Sequence, residues 1–399
     1  MLFRIFLNLH AFIYAHNMEE KVKQRIALGT FFFLSGLTFA TWASRIPTLK
    51  TFFDLNEAEL GTILLAMPIS SLIGLPISGW LVSKFDSRKP MLVGFLLFNV
   101  TLIWIGFVQT TLGLIVAISF FSFFMRILNI AINTQSIIVQ RNFEKRIVGS
   151  FHGLWSTGGL VGVAISTLMV KMNIGIGTHL MSVSIFTTVL IIIAYLYTIK
   201  NDKSSTGNKL IFGKPDPFIV YLGVIIFLAA ICEGGMFDWS GVYFKEVINE
   251  PIFTYGYLSF MACMAFSRFF SDKLVQRIGM KKTYIFSSLV IILGILVAVL
   301  FPYFWSALLG FCFVGFGTAA LFPMTFALAG TSNKYSPGMA ISIISTYGIL
   351  GMFIGPPLIG YLAHAFGLKN AFLIFVVVGL LIIPISQLFF RSQSKLMRE

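Results

Sequence analysis

The sequence predicts an all-α polytopic membrane protein with twelve transmembrane helices in two six-helix, pseudo-symmetric halves. Three observations predict it. Twelve apolar runs, each long enough to cross a hydrocarbon core of about 30 Å, succeed one another between residues 26 and 390. Positive charge is concentrated in alternate connections. A stretch of the first half recurs in the second at an offset of 193 residues.

Composition excludes other classes first. The 399 residues are 57% hydrophobic and 11% charged, where a soluble domain carries about 25% charged residues. The formal charge of +14 would suit a nucleic-acid partner if it were clustered on a soluble face, but it follows the loops between spans. Cys232, Cys263 and Cys312 all sit in apolar runs without metal-ligand spacing. The chain has no nucleotide-binding glycine loop, no HExxH and no nucleophile elbow. It therefore reads as neither an enzyme nor a metal or cofactor protein.

Residues 1–25 begin with an apolar stretch too short and interrupted to span, then turn charged. They form a cytoplasmic segment, either an interfacial helix or, the favoured reading, sequence upstream of a start at Met18. Spans are expected at 26–45, 58–82, 90–109, 112–139, 147–170 and 176–199. The polar segment 200–216, NDKSSTGNKLIFGKPDP, is the longest between spans and reads as a cytoplasmic linker. A second set follows at 217–244, 252–276, 283–301, 303–331, 337–364 and 370–390, then a tail at 391–399. The two bundles are thus 26–199 and 217–390.

Orientation follows from lysine and arginine. With the N-terminus inside, 22 of the 29 basic residues fall in inside segments and 5 at outside ends, leaving Arg126 and Arg268 within spans. Both termini are therefore cytoplasmic, and the basic loops suit anionic lipid. The repeat supports the division. Gly79–Lys89 (GWLVSKFDSRK) aligns with Asp272–Lys282 (DKLVQRIGMKK), placing Lys84 on Arg277 and Arg88 on Lys281. The same offset puts Gly158 on Gly351, Gly162 on Gly355 and Arg45 on Asp238. Parallel repeats of six spans imply a two-fold axis along the membrane normal and a cavity between the halves.

Span 7 carries the strongest site signal, IFLAAICEGGMFDWSGVYFK at 226–245. A carboxylate in hydrocarbon costs on the order of 2–3 kcal/mol, so Glu233 and Asp238 are expected to face a cavity or a partner. Gly234 and Gly235 are expected to loosen the helix there. Trp239 and Tyr243, four apart, share a face and are expected to stack on solute. In span 4, Arg126, Asn129, Asn133, Ser136 and Gln140 recur at three- and four-residue steps, one polar face on an otherwise apolar helix. That face reads as cavity lining, or else as an interhelical hydrogen-bond ladder. His152 and Trp155 open span 5, where the imidazole suits either proton transfer or helix bonding. Tyr347 in span 11 is a further cavity candidate. Arg268 and Asp272, four apart at the inner end of span 8, read as a gate or loop-anchoring ion pair. Arg45 and Asp238 are expected to pair as an outer gate.

These residues bring a resemblance with them. The loops holding Lys84, Arg88, Arg277 and Lys281 resemble the major facilitator superfamily signature Gly-x3-Asp-Arg-x-Gly-Arg-Arg/Lys, with Ser83 and Gln276 at the acid position and Asp86 in place of glycine. Stretches 43–50, 133–141, 150–162, 232–244, 267–279 and 355–363 resemble the MosC-like branch, named for a rhizopine transport protein. The chain departs from that branch at Asn129, where an acid is common, and at Arg126, near which a small residue is usual. The resemblance implies the major facilitator fold and a solute transporter of the bacterial cytoplasmic membrane, working as a monomer with lipid around it. The residues point to alternating access for a small polar solute such as a sugar, polyol or amino-sugar-like compound, with Glu233 or Asp238 carrying a coupled proton. Efflux of hydrophobic compounds and a transporter-like solute sensor stand as alternatives.

Overall fold

The structure, a computed structural model, describes residues 2–143, 147–200, 216–335 and 337–396. Side chains are described over the same ranges apart from 2–18, 269, 271, 272, 337–339, 342 and 394–396. Most of the expected linker at 200–216 and the last three residues of the tail lie outside the described residues. Among the described residues every regular element is a helix.

The first group is α1 (Leu2–Ala43), α2 (Ile46–Phe52), α3 (Glu57–Leu64), α4 (Ala66–Phe85), α5 (Arg88–Phe107), α6 (Thr111–Gln140), α7 (Val148–Lys171) and α8 (Ile176–Tyr195). The second is α9 (Pro217–Glu246), α10 (Thr254–Ile278), α11 (Met280–Leu300), α12 (Phe304–Thr318), α13 (Leu321–Ala329), α14 (Pro337–Phe366), α15 (Leu368–Ala371) and α16 (Leu373–Leu396). Eleven spans built from these helices are long and apolar enough to cross a membrane, with α3–α4 and α12–α13 each forming one span. The twelfth is α10, whose 25 residues reach about 38 Å but whose charges at Arg268, Asp272, Lys273 and Arg277 lower its hydropathy. The chain is an all-α polytopic membrane protein.

The charged stretch 19–25 lies within α1, where Glu19 pairs with Lys23 one turn on at 2.6 Å. One local expectation is corrected. Gly234 and Gly235 do not interrupt α9, which runs as one helix of 30 residues. A methyl at Gly235 would lie 2.5 Å from Ile359 and 2.7 Å from Phe375. Close packing on α14 and α16 therefore explains that glycine.

The two groups pack alike. α1 lies on α7 as α9 lies on α14; α5 on α6 as α11 on α12; α4 on α6 as α10 on α12; α5 on α8 as α11 on α16. Water does not drive helices together in lipid, so close backbone approach matters. A methyl at Gly158 would fall on the Phe33 carbonyl, and one at Gly351 on the Phe227 carbonyl. The glycines aligned by the repeat thus perform the same task in both groups.

Contacts between the groups cluster at the end opposite the basic loops, called the far end here. There α3 packs on α14, with Gly61 against Pro356 and Pro357, and Thr62 bonded to Tyr361 at 3.0 Å. α2 packs on α9, with Gly241 against Pro47. At mid-depth α7 meets α10, with Gly159 against Met261. Toward the basic loops Gly79, Gly149 and Gly153 have nothing within 4 Å of where a side chain would begin. The groups are closed on one another at the far end.

Candidate functional site

The two groups meet at a polar layer. At about 1.5 Å per residue, Arg126, Ser156, Glu233 and Arg268 lie roughly 20–23 Å along their helices from the far ends. Arg268 Nη2 donates to Glu233 Oε1 at 3.3 Å, and its Nη1 donates to Ser156 Oγ. The pair joins α9 to α10, and the serine carries it across to α7 in the other group. Glu233 is only 5% exposed, and its Oε2 has no hydrogen-bond partner among the described residues. A buried carboxylate with one oxygen paired and one open is costly unless a proton or a ligand completes it.

The sequence reads Arg268 and Asp272 as a gate or loop-anchoring ion pair. The Arg268 guanidinium extends into the polar layer, and the side chain of Asp272 lies outside the described residues. Beside the layer an aromatic chain links the groups. The Trp155 ring centre stands 6.0 Å from that of Phe39, Phe39 5.9 Å from Phe237, and Phe237 5.8 Å from Tyr257. The chain runs from α7 through α1 to α9 and α10.

In the α6 stripe Arg126, Asn129 and Asn133 are half-buried and Ser136 is buried. The opposite face of α6 packs on α5, where Leu128 and Ile127 abut Gly94. Arg126 Nε donates to Ser71 Oγ of α4 at 2.6 Å. Asn133 Nδ2 donates back to the Asn129 carbonyl at 2.8 Å, and Ser136 to the Asn133 carbonyl at 2.8 Å. The ladder is therefore largely internal to α6, and the side chains of Asn129 and Asn133 stay half-buried. Gln140 ties down the start of the next helix instead, its Oε1 accepting from Ile147 N at 2.6 Å.

Three placements correct the expectations. Trp239 and Tyr243 share a face, but both are fully buried. Tyr243 donates to the Ala298 carbonyl of α11 at 2.8 Å, and the Trp239 ring lies against Gly360 of α14. They pack the second group and do not line the cavity, because α9 is enclosed on nearly every side. Arg45 does not pair with Asp238. Its Nε donates to His179 Nδ1 and its Nη2 to the Ile174 carbonyl, each at 3.0 Å. The turn between α1 and α2 aims it back into its own group. Asp238 is half-buried and unpaired among the described residues.

The remaining candidates divide by depth. His152 and Tyr347 lie nearly two turns, about 9 Å, nearer the basic loops than Glu233. His152 is exposed, with its ring edge-on to Phe32 at 5.5 Å. Tyr347 lies against Gly223 of α9. In the loops, Arg88 donates to Thr198 Oγ1 and to the Tyr195 carbonyl, each at 3.0 Å, and stacks on the Tyr195 ring at 4.2 Å. Lys84 stands over Trp80 at 4.6 Å. Arg277 and Lys281 are exposed.

The far-end closure contains residues that sequence reasoning missed. Lys50 Nζ lies 2.6 Å from Glu246 Oε1 and 3.3 Å from Glu57 Oε1. Lys245 donates to the Pro47 carbonyl at 3.1 Å and to Thr51 Oγ1. The available signal was a cation retained at an outside end against the general charge bias. A separate hollow of about 450 Å³ opens nearby beside Asp54, Glu59 and His364; none of the candidate residues lines it.

Comparisons with known proteins agree with this architecture. A family model described as Major Facilitator Superfamily matches residues 27–333 and 257–398. The membrane protein MosC of Rhizobium meliloti is 30% identical over 368 residues, covering 91% of this chain and 89% of that protein. An MFS-type transporter of Yersinia pestis is 29% identical over 365 residues, covering 90% and 94%. Among solved structures, a mutant of the nucleoside transporter NupG superposes with a TM-score of 0.74 at 14% identity, covering 91% of this chain and 100% of that one. A bacterial homolog of the human lysosomal transporter Spinster, inward-facing and unoccupied, gives 0.73 at 15% identity, covering 94% and 98%. At such identities the two structures speak for the fold alone.

Proposed function

The chain belongs to the major facilitator superfamily, and from that premise we propose that it is a secondary active transporter coupled to protons. It carries a small polar solute, a sugar, polyol or amino-sugar-like compound, across the bacterial cytoplasmic membrane. The two bundles, 26–199 and 217–390, rock about the polar layer. With the basic loops in the cytoplasm, the conformation described above is closed on the outer side.

One observation carries this reading: Glu233 is buried at mid-depth with Oε1 on Arg268 and Oε2 unpartnered. Charged, the carboxylate holds Arg268 and, through it, Ser156 of the other group. Protonated, it loses the ion pair and frees the guanidinium to leave Ser156. A proton on Glu233 therefore alters the link between the bundles, which is what coupling needs. Asn129 and Asn133 supply the amide groups that hydroxyls of a polar solute would bond, and the aromatic chain through Trp155 and Phe237 offers apolar ring faces.

Purified protein in sealed proteoliposomes tests this. With a panel of sugars, polyols and amino sugars, the expectation is solute accumulation driven by an imposed pH gradient. Glu233→Gln should keep solute exchange at equilibrium but lose gradient-driven accumulation. Accumulation that ignores the gradient, or that survives unchanged in Glu233→Gln, defeats the coupling assignment. Flux confined to lipophilic cations would replace the solute class with hydrophobic compounds. Binding without flux would make the protein a sensor.

A further inference from the structure

We infer that Arg126 is the binding site for an anionic group on the transported solute, so that the cargo is an acid such as a sugar acid or polyol acid. This rests on the reading of the space between the groups as a solute cavity, and narrows it.

The argument is one of unbalanced charge. Two guanidiniums stand at mid-depth, one in each group. Arg268 is neutralised by Glu233 at 3.3 Å. Arg126 has no carboxylate partner among the described residues; its one hydrogen bond there goes from Nε to the neutral Ser71 Oγ at 2.6 Å. Both terminal nitrogens keep contact with open space, since neither is among the buried polar atoms lacking a partner. An arginine at the centre of a bilayer costs about 2.5–3.5 kcal/mol even on the mildest scale. Such a charge persists where a partner or ligand meets it.

Local packing aims the group. A methyl at Gly74 of α4 would lie 3.3 Å from Arg126 Cβ and 3.4 Å from Cγ, so the arginine stem runs close along α4. Nε is fixed on Ser71 of the same helix, and the two terminal nitrogens beyond it make no hydrogen bond among the described residues. A guanidinium edge of that kind offers two parallel donors, the geometry that receives a carboxylate. Asn129 and Asn133 follow along the same face one and two turns nearer the basic loops, placed to bond hydroxyls on the chain or ring behind the acid.

The test is ligand-dependent melting of the purified full-length protein at constant ionic strength. The probes are matched pairs, glucose with glucuronate, galactose with galacturonate and glycerol with glycerate, together with formate and acetate. In the wild type an acid should bind at least about ten-fold tighter than its neutral partner, the effect of one charge-assisted hydrogen bond. Arg126→Gln should abolish that preference and Arg126→Lys retain part of it. Ligand-free Arg126→Gln should melt at or above the wild-type temperature, because it removes an unpaired charge. The inference is overturned if no carboxylate stabilises the wild type beyond its neutral partner, if the preference persists in Arg126→Gln, or if ligand-free Arg126→Gln is strongly destabilised, the mark of a structural partner. Neutral solutes that bind and cross proteoliposomes without any acid preference would overturn the role of Arg126 while leaving transport itself in place.

Discussion

Lys50 Nζ stands 2.6 Å from Glu246 Oε1, joining the short helix α2 of one group to the far end of α9 in the other. Glu57 Oε1 completes the cluster at 3.3 Å. The Lys50 side chain is only 10% exposed, so the contact is shielded better than an ordinary surface pair. Removing the lysine leaves two carboxylates facing one another at the seam. Lys50→Ala is therefore expected to open the far end. The readout is labelling of Phe237→Cys, in a background lacking Cys232, Cys263 and Cys312, by a membrane-impermeant thiol reagent added from the far side. The rate should rise several-fold. The exchanged pair Lys50→Glu with Glu246→Lys should bring it most of the way back, with Glu57 limiting the recovery. Unchanged labelling in Lys50→Ala would remove the cluster from the closure.

The Glu233–Arg268 pair is expected to behave as a unit. Breaking a buried ion pair from one side leaves an uncompensated charge. Arg268→Ala strands Glu233, which is 7% exposed as a side chain, whereas Glu233→Gln leaves an arginine that is 22% exposed and keeps its bond to Ser156. Arg268→Ala should thus lower the melting temperature more than Glu233→Gln does. The double variant should be milder than the two losses added together, with a coupling of roughly 1–3 kcal/mol. Simple additivity would show that the pair contributes nothing to the bundle's stability.

Much of this was legible in the sequence, for physical reasons that also mark where legibility stopped. The α6 stripe could be read because polar residues at helical spacing in an apolar run have few destinations. The match of Gly158 to Gly351 could be read because a repeated close approach demands a repeated glycine. Trp239 and Tyr243 could be seen to share a face, but not which one, since an aromatic suits a packed core and a cavity wall equally. Arg45 and Asp238 are equivalent under the repeat, and equivalence relates two positions by rotation without bringing them together. Lys50 and Glu246 are far apart in the chain, and nothing local in either segment announces the other.

The glycines of the α1–α7 seam give a sharp comparison. A methyl at Gly158 meets the Phe33 carbonyl, which is backbone and cannot swing aside. At Gly234 the nearest atom is a Met352 side-chain carbon at 3.5 Å, an ordinary contact. Gly158→Ala and its counterpart Gly351→Ala are each expected to cost about 1–3 kcal/mol, the usual effect of overpacking. Gly234→Ala should be close to neutral. Melting of the purified variants checks this. Equal behaviour of Gly158→Ala and Gly234→Ala would mean that the α1–α7 seam yields easily.

Arg88 separates what a basic loop residue does from the charge it carries. Helix α8 ends at Tyr195, whose carbonyl accepts from Thr198 N at 3.3 Å and from Thr198 Oγ1 at 2.8 Å. Arg88 adds a charged donor to this closure, bonding that carbonyl and Thr198 Oγ1 at once while its guanidinium stacks on the Tyr195 ring. Lysine offers the same charge without the planar fork or the stacking face. Arg88→Lys should therefore destabilise the protein by about 1–2 kcal/mol, and hydrogen exchange should quicken in the last turn of α8. Lys281→Ala, at the aligned position in the second group, should leave both measurements unchanged because that side chain is exposed. If Arg88→Lys is silent while Arg88→Ala is not, charge alone holds the loop, and its matching cations at Arg277 and Lys281 regain the same role. If both Arg88 variants loosen α8, the arginine acts as a cap, and the two repeats have put equivalent loop positions to different uses.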